Sequence, residues 1–247
     1  FNFAKNNNVV KSLYDKLDSY ELGAYWDLKV LAIPNQSFGS LYGYDFARND
    51  EGKVIHVDGL PVQGDLKVLG NYTPDWIGGL NNELHYKNVT FSFLVDTRWG
   101  GDIYSMTTTW GRYSGVLKET LIGREGGIIG DGVKQLPNGT WIENDIVVSA
   151  EEYNKAAYNA NVAYSSIFDA SFIKLREVRL GYTFQKLGNT GIKDLTFALV
   201  GRNLALLYAK VPHVDPETAF SNSNVQGLEF GQLPSARSIG FNVSFKF

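Results

Sequence analysis

The end of the chain constrains its fold most, because apolar residues there occupy every second position. Ile239, Phe241, Val243, Phe245 and Phe247 alternate with the small or polar residues Gly240, Asn242, Ser244 and Lys246. Residues two apart share a face of a β-strand, so this pattern predicts a strand with one apolar face. A soluble domain would bury that face in a core, whereas a transmembrane barrel strand turns it to lipid. Since the chain stops at an aromatic residue, we expect the second arrangement.

The same alternation recurs along the chain and predicts about seven antiparallel strands. They fall near residues 1–3, 25–30, 80–86, 89–98, 172–184, 195–204 and 239–247. Short polar links are predicted at 87–88 and 185–194, and long loops at 34–76, 99–170 and 208–234 with a small hairpin near 54–57. Outer-membrane barrels alternate short periplasmic turns with long extracellular loops in this way. The fold class predicted is all-β, an antiparallel transmembrane β-barrel segment with long extracellular loops.

Composition agrees with an all-β chain and excludes several functions. Among 247 residues there are 26 glycines, and aromatic residues make up 14%, which suits strands and turns. The formal net charge of −3 gives no basic footprint for nucleic acid. No cysteine is present and the three histidines are scattered, so no disulfide, metal site or cofactor is predicted.

An open sheet of such strands would leave two unpaired edges in a membrane, where each unsatisfied backbone group costs several kcal/mol. The chain also opens on Phe1 without an initiator methionine. We therefore expect residues 1–247 to be one part of a larger barrel.

Charged residues on the polar phase of the strands are candidate lumen residues. They are Asp96, Arg98, Glu177, Arg179 and Arg202. Such side chains either touch transported cargo or a plug, or form ion pairs that brace the wall. The loop tryptophans Trp99, Trp110 and Trp141 either stack on sugar rings or form an interfacial girdle and loop core.

No catalytic constellation is recognisable, so the chain is not predicted to be an enzyme. The glycine-rich stretch at 123–132 lacks the Gly-Lys-Ser/Thr ending of a phosphate loop. His213, Asp215 and Glu217 alternate, but Pro216 and the lack of nearby ligands favour a loop motif over a metal site.

Several segments, in order, resemble the C-terminal third of SusC-like (RagA-type) TonB-dependent outer-membrane transporters. The motifs include Gly201-Arg202-Asn203-Leu204 and Val214-Asp215-Pro216-Glu217, with the longer stretches 70–82, 92–105, 171–184 and 230–238. The resemblance runs from the first residues to the last.

This resemblance implies a plugged barrel of about 22 strands, with its plug and N-terminal domains absent from this chain. It implies TonB-dependent import of oligosaccharides or peptides across the outer membrane of a Gram-negative bacterium. The implied partners are a SusD-like surface lipoprotein, the TonB–ExbB–ExbD complex, the barrel-assembly machinery and the lipid bilayer. Phe241, Val243, Phe245 and Phe247 look like the C-terminal signal for barrel assembly, or else are simply lipid-facing residues.

Two other classes of protein remain as alternatives. A soluble carbohydrate-binding β module would use the loop aromatics and need no detergent. A surface glycosidase would need two carboxylates about 5 to 10 Å apart, and the sequence indicates no such pair.

Overall fold

The computed structural model describes residues 1–186, 188, 191–218 and 220–246. Strands dominate it, numbered here in chain order: β1 Asn2–Ala4, β2 Tyr20–Tyr25, β3 Leu28–Ala32, β4 Ser40–Phe46, β5 His56–Val57, β6 Leu60–Pro61, β7 Gln63–Asn71, β8 Trp76–Tyr86, β9 Val89–Trp99, β10 Asp102–Ser105, β11 Ile128–Ile129, β12 Val133–Gln135, β13 Trp141–Glu143, β14 Val147–Val148, β15 Ile167–Asp169, β16 Phe172–Lys186, β17 Lys193–Ala209, β18 Leu228–Glu229 and β19 Ser238–Lys246. Two α-helices are described, α1 Met106–Tyr113 and α2 Ala150–Ala157, with short 3-10 helices at Tyr14–Lys16, Lys118–Leu121 and Ala163–Ser166.

The long strands form one antiparallel sheet, called the wall here, in the order β1-β8-β9-β16-β17-β19. The strands β8 and β9 are a hairpin whose register runs from Trp76 opposite Trp99 to Tyr86 opposite Val89. Lys87 turns the chain with a positive φ of 51°. The prediction of an all-β chain with antiparallel strands is confirmed.

The wall has one apolar and one polar face, because the period of every long strand is two. Opposed pairs such as Phe91 and Leu180 lie on the apolar face, and Leu199 and Phe241 continue it towards the last strand. The apolar side chains are exposed over broad areas, with Leu180 51%, Leu199 59% and Phe241 84% accessible. Among the described residues, neither buried hydrophobic cluster covers that face.

All long connections leave the wall at one end. Strand β9 ends at Trp99, β16 begins at Phe172 and β17 ends at Ala209, and the strand pairing places these three ends side by side. The long connections begin or end there. At the other end, β8 and β9 are joined by two residues, and β16 and β17 by the short link after Lys186. The predicted alternation of short links and long connections is confirmed.

The long connections fold into a compact lobe rather than irregular loops. A four-stranded sheet in the order β2-β3-β4-β7 and a three-stranded sheet in the order β15-β10-β18 form its framework. Its core is a cluster of buried residues, namely Leu28, Val30, Leu41, Tyr104, Met106, Ala160, Ala163 and Leu228. The hydrophobic core of this chain therefore lies outside the wall.

Three sequence-based predictions about the loops are wrong in detail. The predicted strand at 25–30 is a hairpin of β2 and β3 in the lobe, because Trp26 has a positive φ of 54° and turns the chain. The predicted loop at 34–76 contains β4 and β7, which pair with each other. The predicted irregular region at 99–170 contains both helices, each too short for a clear periodic pattern.

In the described residues, no helix is long and apolar enough to cross a membrane.

Candidate functional site

The polar face of the wall carries all five predicted charged residues. The register places Asp96 opposite Lys174, Arg98 opposite Phe172, and Glu177 opposite Arg202. Arg179 follows Glu177 by two positions on β16, so it shares this face.

Two of these predicted residues pair with each other across the wall. The guanidinium of Arg202 donates to Glu177 at 2.8 Å. This ion pair is largely solvent-exposed and contributes at most about 1 kcal/mol. It agrees with the bracing role considered for such residues.

Asp96 and Arg98 have partners that the sequence did not indicate. Asp96 accepts hydrogen bonds from Arg176 at 2.9 Å. Arg176 can face Asp96 because the register shifts between Leu175 and Glu177 at a β-bulge. Arg98 donates to the Tyr72 carbonyl at 2.5 Å, which ties the wall to the lobe.

The centre of the polar face is an ion-pair network between the wall and the connection that follows β17. The Lys174 ammonium donates to Asp215 at 2.5 Å and to Glu217 at 2.6 Å. Glu217 also accepts from Arg176. Two wall cations are thus neutralised by two carboxylates that lie more than forty positions further along the chain.

The Lys174–Asp215 pair of this network is nearly excluded from water. The side chains of Lys174 and Asp215 are 5% and 9% exposed. Burial by itself would raise the pKa of Asp215, but hydrogen bonds from Lys174 and Ser235 outweigh it and hold the pKa well below its ordinary range. Burial also raises the pKa of Glu217, but hydrogen bonds from Arg176 and Lys174 outweigh it and lower the pKa below its ordinary value. Both carboxylates therefore stay ionised at neutral pH.

Asp215 also joins the two ends of its own connection. Its second oxygen accepts from the Ser235 backbone at 3.0 Å and the Ser235 hydroxyl at 2.6 Å. Asn203 of β17 donates to the Ala236 carbonyl at 3.1 Å. The start and the end of the connection are therefore fastened to the same part of the wall.

A buried carboxylate fastens this connection to the lobe as well. Glu229, 2% exposed, accepts hydrogen bonds from the Ser105 hydroxyl at 2.6 Å, the Thr107 hydroxyl at 2.5 Å and the Gly231 backbone at 2.8 Å. Ser105 is the N-cap of α1, so the negative charge lies at the end of the helix that favours it.

The predicted tryptophans lie in three different settings. The Trp99 ring is on the apolar face, stacked against Trp76 at 6.0 Å and Tyr208 at 5.9 Å. Such a row at the end of the apolar band is typical of an interfacial girdle. Trp110 packs against the core of the lobe, and Trp141 is partly exposed on β13.

The last strand has the predicted alternation. Phe241, Val243 and Phe245 are 84%, 41% and 49% exposed on the apolar face. The fourth member of the predicted assembly signal, Phe247, lies outside the described residues.

His213 and its neighbours serve as loop contacts. His213 Nε2 lies 2.9 Å from a Glu119 oxygen, while Asp215 and Glu217 face the wall cations. In the part of the chain that the structure describes, no three His, Cys, Asp or Glu side chains are grouped to hold a metal ion.

Sequence reasoning missed Lys174, Arg176, Ser235 and Glu229. Lys174 and Arg176 share the phase of Val178 and Leu180, which alternation along the sequence assigns to the apolar face. The β-bulge between Leu175 and Glu177 changes the phase and brings them to the polar side. Glu229 gave no sequence signal, because its side-chain partners Ser105 and Thr107 are more than 120 positions away.

Comparison with known proteins gives consistent results in sequence and in fold. TonB-dependent receptor P3 of Formosa agariphila is 24% identical over an alignment that covers all of this chain and 26% of the relative. TonB-dependent receptor P26 of the same organism is 29% identical over 76% of this chain and 19% of the relative. No family model matches the chain.

Solved structures of the RagAB peptide importer have the same fold. The "open-open" state aligns with a TM-score of 0.63 at 16% identity, covering 99% of this chain and 26% of that one. A structure of the RagAB peptide transporter aligns with a TM-score of 0.59 at 15% identity over 98% of this chain. The chain spans about a quarter of the length of the proteins it matches. In sequence and in fold, this chain is therefore related to the TonB-dependent receptors, and its wall and lobe correspond to part of their transporter barrel.

Proposed function

We propose that this chain forms the C-terminal part of the barrel of a TonB-dependent importer in the outer membrane of a Gram-negative bacterium. The importer would work in a SusC/SusD-type complex and take up oligosaccharides or peptides. The wall would separate lipid from a hydrated lumen, and the lobe would lie on the extracellular side.

The single observation that carries this proposal is the exposed apolar face of the wall. Strand β9 has 11 residues, which at about 3.4 Å each is about 37 Å. A tilt of about 45° reduces this to about 25 Å, the height of the apolar band of an outer-membrane barrel. The Trp76, Trp99 and Tyr208 rings lie at the lobe end of that band.

The same face argues against a soluble carbohydrate-binding module. A soluble protein exposes single apolar residues but rarely a continuous sheet face. Here Leu84, Leu180, Leu199 and Phe241 are each more than half exposed on one face of the wall.

The partners and cargo in this proposal come from the relatives. Those relatives are TonB-dependent receptors, which supports energisation through TonB–ExbB–ExbD. The structural neighbours are a peptide importer, which supports a SusD-like surface lipoprotein as partner and peptide as one cargo class. Oligosaccharide is the other class proposed, and direct uptake measurements with both decide between them.

The last strand is proposed to serve as the signal for the barrel-assembly machinery. Phe241, Val243 and Phe245 are presented on one face of β19, and Phe247 continues the alternation. Replacing Phe247 by serine in the complete protein should lower the amount assembled in the outer membrane, measured by heat-modifiable mobility on gels. Unchanged assembly would contradict the role of Phe247.

The importer proposal is tested by energised uptake in cells that carry the complete protein. Uptake of labelled peptides and oligosaccharides should require both the protein and an intact TonB gene, and should stop when the proton-motive force is dissipated. Recovery of the protein from the soluble fraction, or uptake that is indifferent to TonB, would contradict the proposal.

A further inference from the structure

A cavity lies between the polar face of the wall and the two fastened ends of the connection after β17. It has a volume of about 540 Å³, within the range of small-molecule sites. One side is apolar, formed by Ala205, Leu206, Val211, Val214 and Pro234. The other side is polar and includes Lys174, Asn203, Asp215 and Arg237. We call it the connection cavity.

The buried charges that line the connection cavity already neutralise each other. Lys174 donates to Asp215 and Glu217. The Asp215 oxygens are also occupied by the Glu217 and Ser235 backbones and by the Ser235 hydroxyl. His213, which also lines the cavity, faces Glu119.

Arg237 is different from these groups. Within residues 1–186, 188, 191–218 and 220–246, its guanidinium forms no hydrogen bond or ion pair, and the residue is exposed. It lies just before β19, where Ser238 pairs with Arg202. The connection cavity thus presents one cation without a counter-charge beside an apolar surface.

We propose that the connection cavity binds a carboxylate group of the transported molecule, with Arg237 as the residue that recognises it. A guanidinium binds a carboxylate through two parallel hydrogen bonds, and the apolar side contacts the adjoining part of the ligand. The inference rests on the proposed importer function, which makes the polar face accessible to cargo. It extends that function by naming an acidic group as a feature of the cargo.

A carboxylate has two sources here, a peptide C-terminus or a uronic acid, and two pairs of probes separate them. One pair is trialanine and its C-terminal amide. The other is a digalacturonate and its methyl ester. Binding to the purified complete protein in detergent is measured by titration calorimetry. At least one free acid should bind about tenfold or more tightly than its neutral partner, and the pair that does so identifies the source.

Arg237→Gln should abolish that preference, and Arg237→Lys should keep part of it because the charge remains. Lys246→Gln is the matched control, since it removes an exposed cation from the far end of β19, the strand that follows Arg237; it should leave the preference unchanged. Heat-modifiable mobility verifies that each variant is folded.

Three results would overturn the inference. They are no binding of either acid, equal binding of acid and neutral partner, and a preference that survives in Arg237→Gln. The importer function is judged separately by TonB-dependent uptake. A carboxylate preference without such uptake would refute the proposed importer function but not the carboxylate site. Uptake without the preference would refute only the carboxylate site.

Discussion

Lys174 of the wall and Asp215 of the following connection form an ion pair at 2.5 Å. Their side chains are only 5% and 9% exposed. The pair joins strand β16 to the Val-Asp-Pro-Glu motif in the connection after β17, and its two residues are 41 positions apart. It explains why that motif lies against the wall.

Removing this buried carboxylate should destabilise the protein strongly. Asp215→Asn leaves Lys174 with one fewer counter-charge and weakens both ends of the connection, so we expect a loss of about 3 kcal/mol in the free energy of unfolding. Urea unfolding in detergent measures it. The control Glu21→Gln breaks the exposed pair with Lys29 and should cost less than about 1 kcal/mol. Equal losses in the two variants would show that the buried pair contributes no more to the free energy of unfolding than the exposed pair does.

Glu229 should hold α1 and the connection together. Glu229→Ala removes the acceptor for two hydroxyls and one backbone amide, and should cost about 1 to 3 kcal/mol because the Ser105 and Thr107 hydroxyls lose their hydrogen bonds to a buried carboxylate. Hydrogen exchange of the Gly231 amide should become faster. Glu151→Ala, which affects only an exposed pair on α2, should not change that exchange rate. An unaltered Gly231 rate in Glu229→Ala would count against the assignment.

His56 should make the lobe less stable in mild acid. Burial lowers the pKa of His56 below its ordinary value of 6.5, and its Nε2 is buried without a hydrogen-bond partner. As the pH falls through 6.5, the unfolded chain binds a proton that the folded chain does not, so stability falls, by at most about 1.4 kcal/mol per pH unit.

The His56→Phe variant keeps an aromatic ring against Tyr153, on which His56 stacks. It should lose that part of the pH dependence between pH 7 and 5, measured by urea unfolding. The exposed His85 provides the control variant His85→Phe, whose pH profile should match that of the unaltered protein. A His56→Phe profile identical to the unaltered one would refute the prediction.

The two faces of β9 should respond differently to the same substitution. Phe93, near the middle of β9, lies on the apolar face and Ser92, its neighbour, on the polar face. Phe93→Arg should cost about 2 to 4 kcal/mol in a bilayer, since a cation near the midplane of the membrane is poorly solvated. Ser92→Arg should cost much less. Unfolding in lipid vesicles measures both, and equal costs would contradict the assignment of the apolar face to lipid.

The sequence predicted the wall well because an alternation of period two is a local signal. The strands β9, β16 and β19 show it over nine or more residues, and it identified the apolar and polar faces of β9, of β19 and of β16 beyond its bulge. The same signal misleads for β4, where Tyr42, Tyr44 and Phe46 alternate with Gly43 and Asp45, but the buried phase is the one that carries Leu41, Gly43 and Asp45. It also failed for helices of eight residues such as α1.

The sequence by itself therefore determined the fold class of this protein, the two faces of its wall and the short and long sides of its connections, because each depends on residues adjacent along the chain. Only the tertiary structure decided that the long connections form a packed lobe, that Asp215 and Glu217 meet Lys174 and Arg176, and that Glu229 lies at α1. Those contacts join residues 41 to 124 positions apart. Such partners are determined by burial and charge pairing in the folded protein, so they cannot be predicted from the spacing of residues along the sequence.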